Sequence, residues 1–170
     1  MWFEMRKESL GFLDRAPVVH VAEAAIAAPR KVVFGAIAEP RGWKHWFPGV
    51  REASYTTPPP HGVGTIRQAS VGGTRWVEEM IDWKDPTRWA WTVLRASVPF
   101  AKAQVEVFEF TEAAGQTHVR WTLALEPRLL TRLGAPLAGR VTSRLLRHAM
   151  EGLAAYLERT GASERRTAGR

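Results

Sequence analysis

Two adjacent glycines, Gly72 and Gly73, separate two runs of strand-forming residues, Val63–Val71 and Thr74–Trp83. The favoured two-residue hairpin turns need positive φ, which glycine reaches without a Cβ penalty. If these glycines are the turn, the register is fixed. Val71 then lies opposite Thr74, Ala69 opposite Trp76, and Arg67 opposite Glu78. Side chains alternate across a strand, so these residues share one face with Met80. That face is mostly apolar and is expected to point inward, which makes Arg67 and Glu78 a cross-strand ion pair in apolar surroundings. A one-residue slip would instead put the pair in water, where it is worth ~0–1 kcal/mol.

The rest of the chain continues the antiparallel pattern. Residues 17–28 (PVVHVAEAAIAA) read as a first strand. Pro29 suits the first position of a short helix over 30–38, with Val33, Phe34 and Ile37 on its buried side. Pro40 and Gly42 interrupt it, and the aromatic segment 42–49 (GWKHWFPG) reads as a second helical turn. There Trp43, Trp46 and Phe47 either close the mouth of the domain or pin the short helices to the sheet. Strands follow over 50–57, 88–97, 102–111 and 116–125, with a turn at Asp85-Pro86 and a hairpin at Ala113-Ala114-Gly115. Trp89, Trp91 and Val93 are expected on one strand face. From about Leu129 to Arg159 apolar residues recur at helical spacing through Leu133, Leu137, Val141, Leu145, Ala149, Leu153 and Tyr156. The expected organisation is an N-terminal extension (1–16), one α+β domain (17–160) and a frayed basic tail (161–170). Trp2, Phe3, Phe12 and Leu13 would let the extension dock on the domain or on a partner.

Composition narrows the chemistry. Eight Trp stand against two Tyr, which implies a bulky aromatic core or an indole-lined pocket. The absence of Cys excludes disulfides, thiolate zinc sites and cysteine nucleophiles. The five His form no metal-binding pair such as HxxxH, so no metal is expected. Gly62-Val-Gly-Thr65 is not followed by a helix and no Walker sequence occurs, so no nucleotide cofactor is expected either. The first 17 residues carry Glu4, Glu8 and Asp14 and read as neither signal peptide nor membrane anchor, so a cytoplasmic location is the expectation. Of the net charge of +7, +6 lies between Arg128 and Arg170. That basic helix is either a solvated face or a peripheral contact for an anionic membrane; nucleic-acid motifs are lacking.

Particular words in particular places carry a family resemblance. They are Trp46-Phe-Pro-Gly-Val50, Gly62-Val-Gly-Thr-Ile-Arg67, Gly72-Gly73, Val77-Glu-Glu79 leading to Asp85-Pro86, Thr117-His-Val-Arg-Trp121, and His148-Ala-Met-Glu-Gly-Leu153. In this order the chain resembles the START-like superfamily, in its polyketide cyclase/dehydratase-like branch, over roughly Val18 to Leu157. The resemblance implies the helix-grip fold: a curved antiparallel sheet of about seven strands around a long C-terminal helix, with a cavity between them. It implies a hydrophobic ligand, lipid or polyketide-like, and no single activity.

Within such a cavity the candidate ligand contacts are Arg67, Trp76, Glu78, Met80, Trp89, Trp91, Phe108, Phe110, Trp121, Leu145 and Trp46. Glu106 shares a strand face with Phe108 and Phe110, but Val105 and Val107 make the opposite face equally apolar, so either direction fits. A dry Glu106 would have a raised pKa and suit general acid work. Glu78, Glu106 and His148 are the catalytic candidates, whereas His118 and Arg120 are expected to point outward. Three functions remain open: a carrier of a hydrophobic small molecule, a cyclase or dehydratase using a cavity carboxylate, and a regulatory or interaction module acting through the basic helix.

Overall fold

The computed structural model describes residues 1–129 and 135–168, with side chains described within 1–129 and 139–161. Its elements are β1 (Phe3–Glu4), a three-residue 3-10 helix (Leu10–Phe12), β2 (Val18–Ile26), α1 (Arg30–Ala38), a 3-10 turn (Pro40–His45), β3 (Val50–Tyr55), β4 (Ile66–Val71), β5 (Thr74–Lys84), β6 (Arg88–Ala96), β7 (Ala101–Ala113), β8 (Gln116–Pro127) and α2 (Ala135–Ala168). Seven strands run in the order β2-β8-β7-β6-β5-β4-β3, every pair antiparallel. The sheet curls around α2, so the expected helix-grip α+β architecture is present.

The Gly72-Gly73 turn has φ values of 57° and 82°, and it sets the expected register, with Arg67 opposite Glu78. The β7–β8 hairpin turns on Ala114 and Gly115, both at positive φ. Val33, Phe34 and Ile37 are buried beneath α1 as the periodicity predicts. Two hydrogen bonds anchor the C-terminal end of α1: the Tyr55 hydroxyl donates to the Ala38 carbonyl at 2.6 Å, and Trp43 Nε1 donates to the Ile37 carbonyl at 2.8 Å. Trp43 is thereby held over the concave face.

The N-terminal extension lies on the domain itself. Phe3 and Glu4 pair with Ala96 and Arg95 at the end of β6, beyond its pairing with β7. Phe12, 1% exposed, packs on Ala90, Ala103, Val105, Val107 and Ala124. These alternate with the cavity-side residues of β6, β7 and β8, so the extension seals the convex face. The Glu8 amide donates to Thr92 Oγ1, whose hydroxyl donates to the Gln104 carbonyl, each at 3.2 Å.

Val93 lies opposite Glu78 as Trp91 lies opposite Met80, so it keeps the expected face, although beyond the register shift between Val77 and Glu78 it packs with Met5, Ala96 and Ala101 and not with the Trp89–Trp91 cluster. Two expectations are corrected. The buried stripe of α2 is Leu146, Ala149, Met150, Leu153 and Leu157, leaving Val141 61% exposed. Of the expected stripe, the side chains of Leu133 and Leu137 lie outside the described residues. Finally, the backbone of α2 is helical through Ala168 instead of ending near Arg159.

One contact explains the rotation of that stripe. A Cβ at Gly152 would collide with the Trp46 carbonyl oxygen and sit 3.2 Å from its carbonyl carbon. The absence of a side chain is what brings α2 onto the Trp46 backbone. Arg140, Arg144 and Arg147 consequently form an exposed row at helical spacing.

Candidate functional site

The concave face is divided. At one end α1 and the 3-10 turn fill it, with the Phe34 and Phe110 rings 5.4 Å apart and the Trp43 and Trp89 rings 6.2 Å apart. At the other end the sheet and the first described turns of α2 stay apart, leaving a cavity of about 420 Å³. That volume falls within the range of small-molecule sites.

Of the residues expected at the cavity, Trp76, Glu78, Trp91, Glu106, Trp121 and Leu145 line it, with Trp43 and Phe47. Others do not. Arg67, Met80, Trp89, Phe108, Phe110 and Trp46 are buried behind or beside it, because α1, the 3-10 turn and the indoles themselves cover them. His148 sits on the exposed side of α2, pointing away from the cavity on a helix whose inner stripe is set by Gly152. Sequence reasoning missed His20, Gln104 and Thr142, which also line the cavity. Gln104 shares strand parity with Glu106, so the direction of Glu106 settles that of Gln104. His20 has its Nδ1 3.1 Å from Ser143 Oγ, and burial lowers its pKa, favouring the neutral ring.

The polar end of the site is built in layers. Arg67 Nε donates to Glu78 Oε2 at 2.6 Å, with the two side chains 0% and 7% exposed. The guanidinium carbon lies 4.3 Å from the ring centres of Trp43 and Trp91, and 4.9 Å from that of Trp89. Nη1 and Nη2 have no hydrogen-bond acceptor among the described residues. Their charge rests instead against the three π faces, an arrangement that attracts a desolvated cation. Arg67 is thus held behind an indole wall, and only its carboxylate partner reaches the cavity.

Glu106 is the second carboxyl. Gln104 Nε2 donates to its Oε1 at 2.6 Å and Trp121 Nε1 to its Oε2 at 2.8 Å. Burial pushes its pKa up, to about 7, and the neighbouring charge of Glu78 adds to the rise. The two donors and Arg67 oppose it. The carboxyl therefore changes charge near neutrality inside a largely apolar chamber.

Comparison with known proteins agrees with this architecture. Solved structures with the same fold include TTHA0849 from Thermus thermophilus (TM-score 0.70, 19% identity, covering 84% of this chain and 99% of that one). A START superfamily protein from Mycobacterium smegmatis matches with TM-score 0.70 and 11% identity, covering 84% and 98%. The Zhui aromatase/cyclase from Streptomyces sp. R1128 matches with TM-score 0.71 and 16% identity, covering 84% and 94%. An uncharacterized protein of Mycobacterium tuberculosis strain H37Rv is 27% identical over 123 residues, 72% of this chain and 74% of its own. The model of the family described as polyketide cyclase / dehydrase and lipid transport matches residues 18–158, and the chain belongs to that family.

Proposed function

We propose that the protein binds a hydrophobic small molecule in the cavity between the sheet and α2, with the polar end of the ligand at Glu78 and Glu106. The observation that carries this reading is an indole-lined chamber of about 420 Å³ into which two carboxyls, Glu78 and Glu106, project from the sheet. A buried ion pair is a weak device for stability, since desolvation offsets the Coulomb gain, whereas it orients a ligand well. The exposed row of Arg140, Arg144 and Arg147 supports peripheral contact with an anionic membrane as a route of loading.

The test is native mass spectrometry of the purified protein with solvent extraction, alongside tryptophan fluorescence titration with fatty acids, fatty alcohols and aromatic polyketides. A stoichiometric apolar ligand, or saturable quenching weakened by the cavity-filling change Leu145→Phe, is expected. Fluorescence indifferent to every hydrophobic compound would overturn the reading and leave the indoles as packed core.

A second reading rests on Glu106 alone. A carboxyl that titrates near pH 7 can deliver or accept a proton in an aldol-type cyclisation or dehydration, a contribution of ~10²–10⁴-fold in rate. Glu106→Gln would then retain binding and lose turnover by that factor, whereas a carrier shows no turnover to lose.

A further inference from the structure

The cavity has a charge imbalance. Its lining holds two carboxyls, Glu78 and Glu106, and the neutral-leaning His20, with no Lys or Arg among the described lining residues. One guanidinium, that of Arg67, reaches the pair from behind and is committed to Glu78. Among the described residues Glu106 has two neutral donors and no cation of its own. A buried carboxylate without a counter-charge is costly and must take up a proton or a cation.

We propose that the ligand is a hydrophobic amine, an apolar body with one protonated nitrogen that seats against Glu106 and supplies its missing counter-charge. This rests on the cavity-binding reading above and specifies the head group. A fatty-acid carboxylate or a phosphate would meet two carboxyls and no Lys or Arg among the described lining residues, with Arg67 already paired behind the wall, so those head groups are disfavoured. The indoles of Trp76, Trp91 and Trp121 line the same chamber, and aromatic faces attract organic cations. An ammonium also donates charge-assisted hydrogen bonds to carboxylate oxygens, which a neutral hydroxyl matches less well.

Amine binding therefore exchanges a ligand cation for the proton on Glu106. The groups facing that carboxyl are Glu78 from β5 with Arg67 of β4 behind it, Gln104 of its own strand, Trp121 of β8 and His20 of β2. From α2 the described lining residues, among them Thr142, Leu145 and Leu146, are uncharged. Affinity rises as pH climbs through neutrality and Glu106 loses its proton. It falls again only where the amine loses its own, near pH ~10.

The experiment uses the full-length protein and three probes of one shape, decylamine, decanol and decanoate, titrated calorimetrically at pH 5.5 and 8. At pH 8 decylamine should bind about tenfold or more tighter than decanol, with decanoate weakest. That margin should shrink at pH 5.5 and vanish in Glu106→Gln. Wild-type protein at pH 7 should also release protons on binding decylamine, measured in buffers of different ionisation enthalpy, a readout independent of any variant's folding. Decanol or decanoate binding as tightly as decylamine, or no proton release, overturns the amine and leaves the cavity reading standing. Failure of all three probes to bind overturns the amine, and the cavity reading falls with it only if the fatty acids, fatty alcohols and aromatic polyketides of the fluorescence titration fail as well.

Discussion

Glu106→Gln offers a test of the site that requires no ligand. In the folded protein the carboxyl titrates near 7, against an ordinary value of 4.5. A folded-state pKa above the unfolded one means the native protein binds the proton more tightly between those values. Its contribution to stability is fully present below pH 4.5 and is lost as pH rises through about 7. The full displacement corresponds to about 3 kcal/mol, of which about 2–3 kcal/mol falls between pH 5 and 8.5. Glutamine is not a neutral replacement, because Gln104 and Trp121 both donate to the carboxyl. The amide has only one acceptor oxygen, and the orphaned donor costs ~1–3 kcal/mol at every pH. The pH-dependent part of the difference is therefore the observable. Urea unfolding of wild type and Glu106→Gln at pH 5, 6, 7 and 8.5 should show the variant gaining on wild type by about 2–3 kcal/mol from the lowest pH to the highest. Most other titrating groups cancel in that difference. A flat difference would show that Glu106 is hydrated and ionised throughout, and the account of the site would fail.

Two further perturbations probe the frame around the cavity. Arg67→Met strands Glu78 among indoles and should cost about 3–5 kcal/mol in urea unfolding, while Arg67→Met with Glu78→Leu should recover most of it. A double variant as unstable as the single would show that the indole stacking, not the ion pair, is what Arg67 supplies. Gly152→Ala drives a methyl into the Trp46 carbonyl and should lose about 1–3 kcal/mol despite the better helix propensity of alanine. Gly35→Ala on exposed α1, where an added Cβ meets nothing within 4 Å, should gain up to about 1 kcal/mol. Equal effects at the two glycines would contradict the close approach of α2.

Some of this site is legible in the sequence for a specific reason. A two-glycine turn fixes register, so Arg67 and Glu78 pair on paper as they do in the sheet, without any knowledge of the fold. Glu106 resists because β7 is apolar on both faces, and the second apolar face belongs to Phe12, a residue more than ninety positions away. Strand alternation distinguishes inside from outside only when one side meets water. The extent of the cavity is hidden for a similar reason. Trp89, Phe108 and Phe110 have the composition and parity of lining residues, yet α1 and the 3-10 turn cover them. His148 is misplaced by sequence reasoning because helical spacing allows a broad stripe, and a backbone contact at Gly152 chooses its centre.

The extension on the convex face sets a limit on how this protein can be shortened. The family match begins at residue 18, and a chain trimmed there would keep every cavity-lining side chain. It would nevertheless lose the Glu8 amide that holds Thr92, the hydroxyl of which holds the backbone of Gln104, the side chain of which holds Glu106. It would also bare Val105 and Val107, the residues either side of that carboxyl on the same strand. Homology marks where the shared fold begins, but the support for the proton-binding group begins ten residues earlier, in sequence that the family model does not cover.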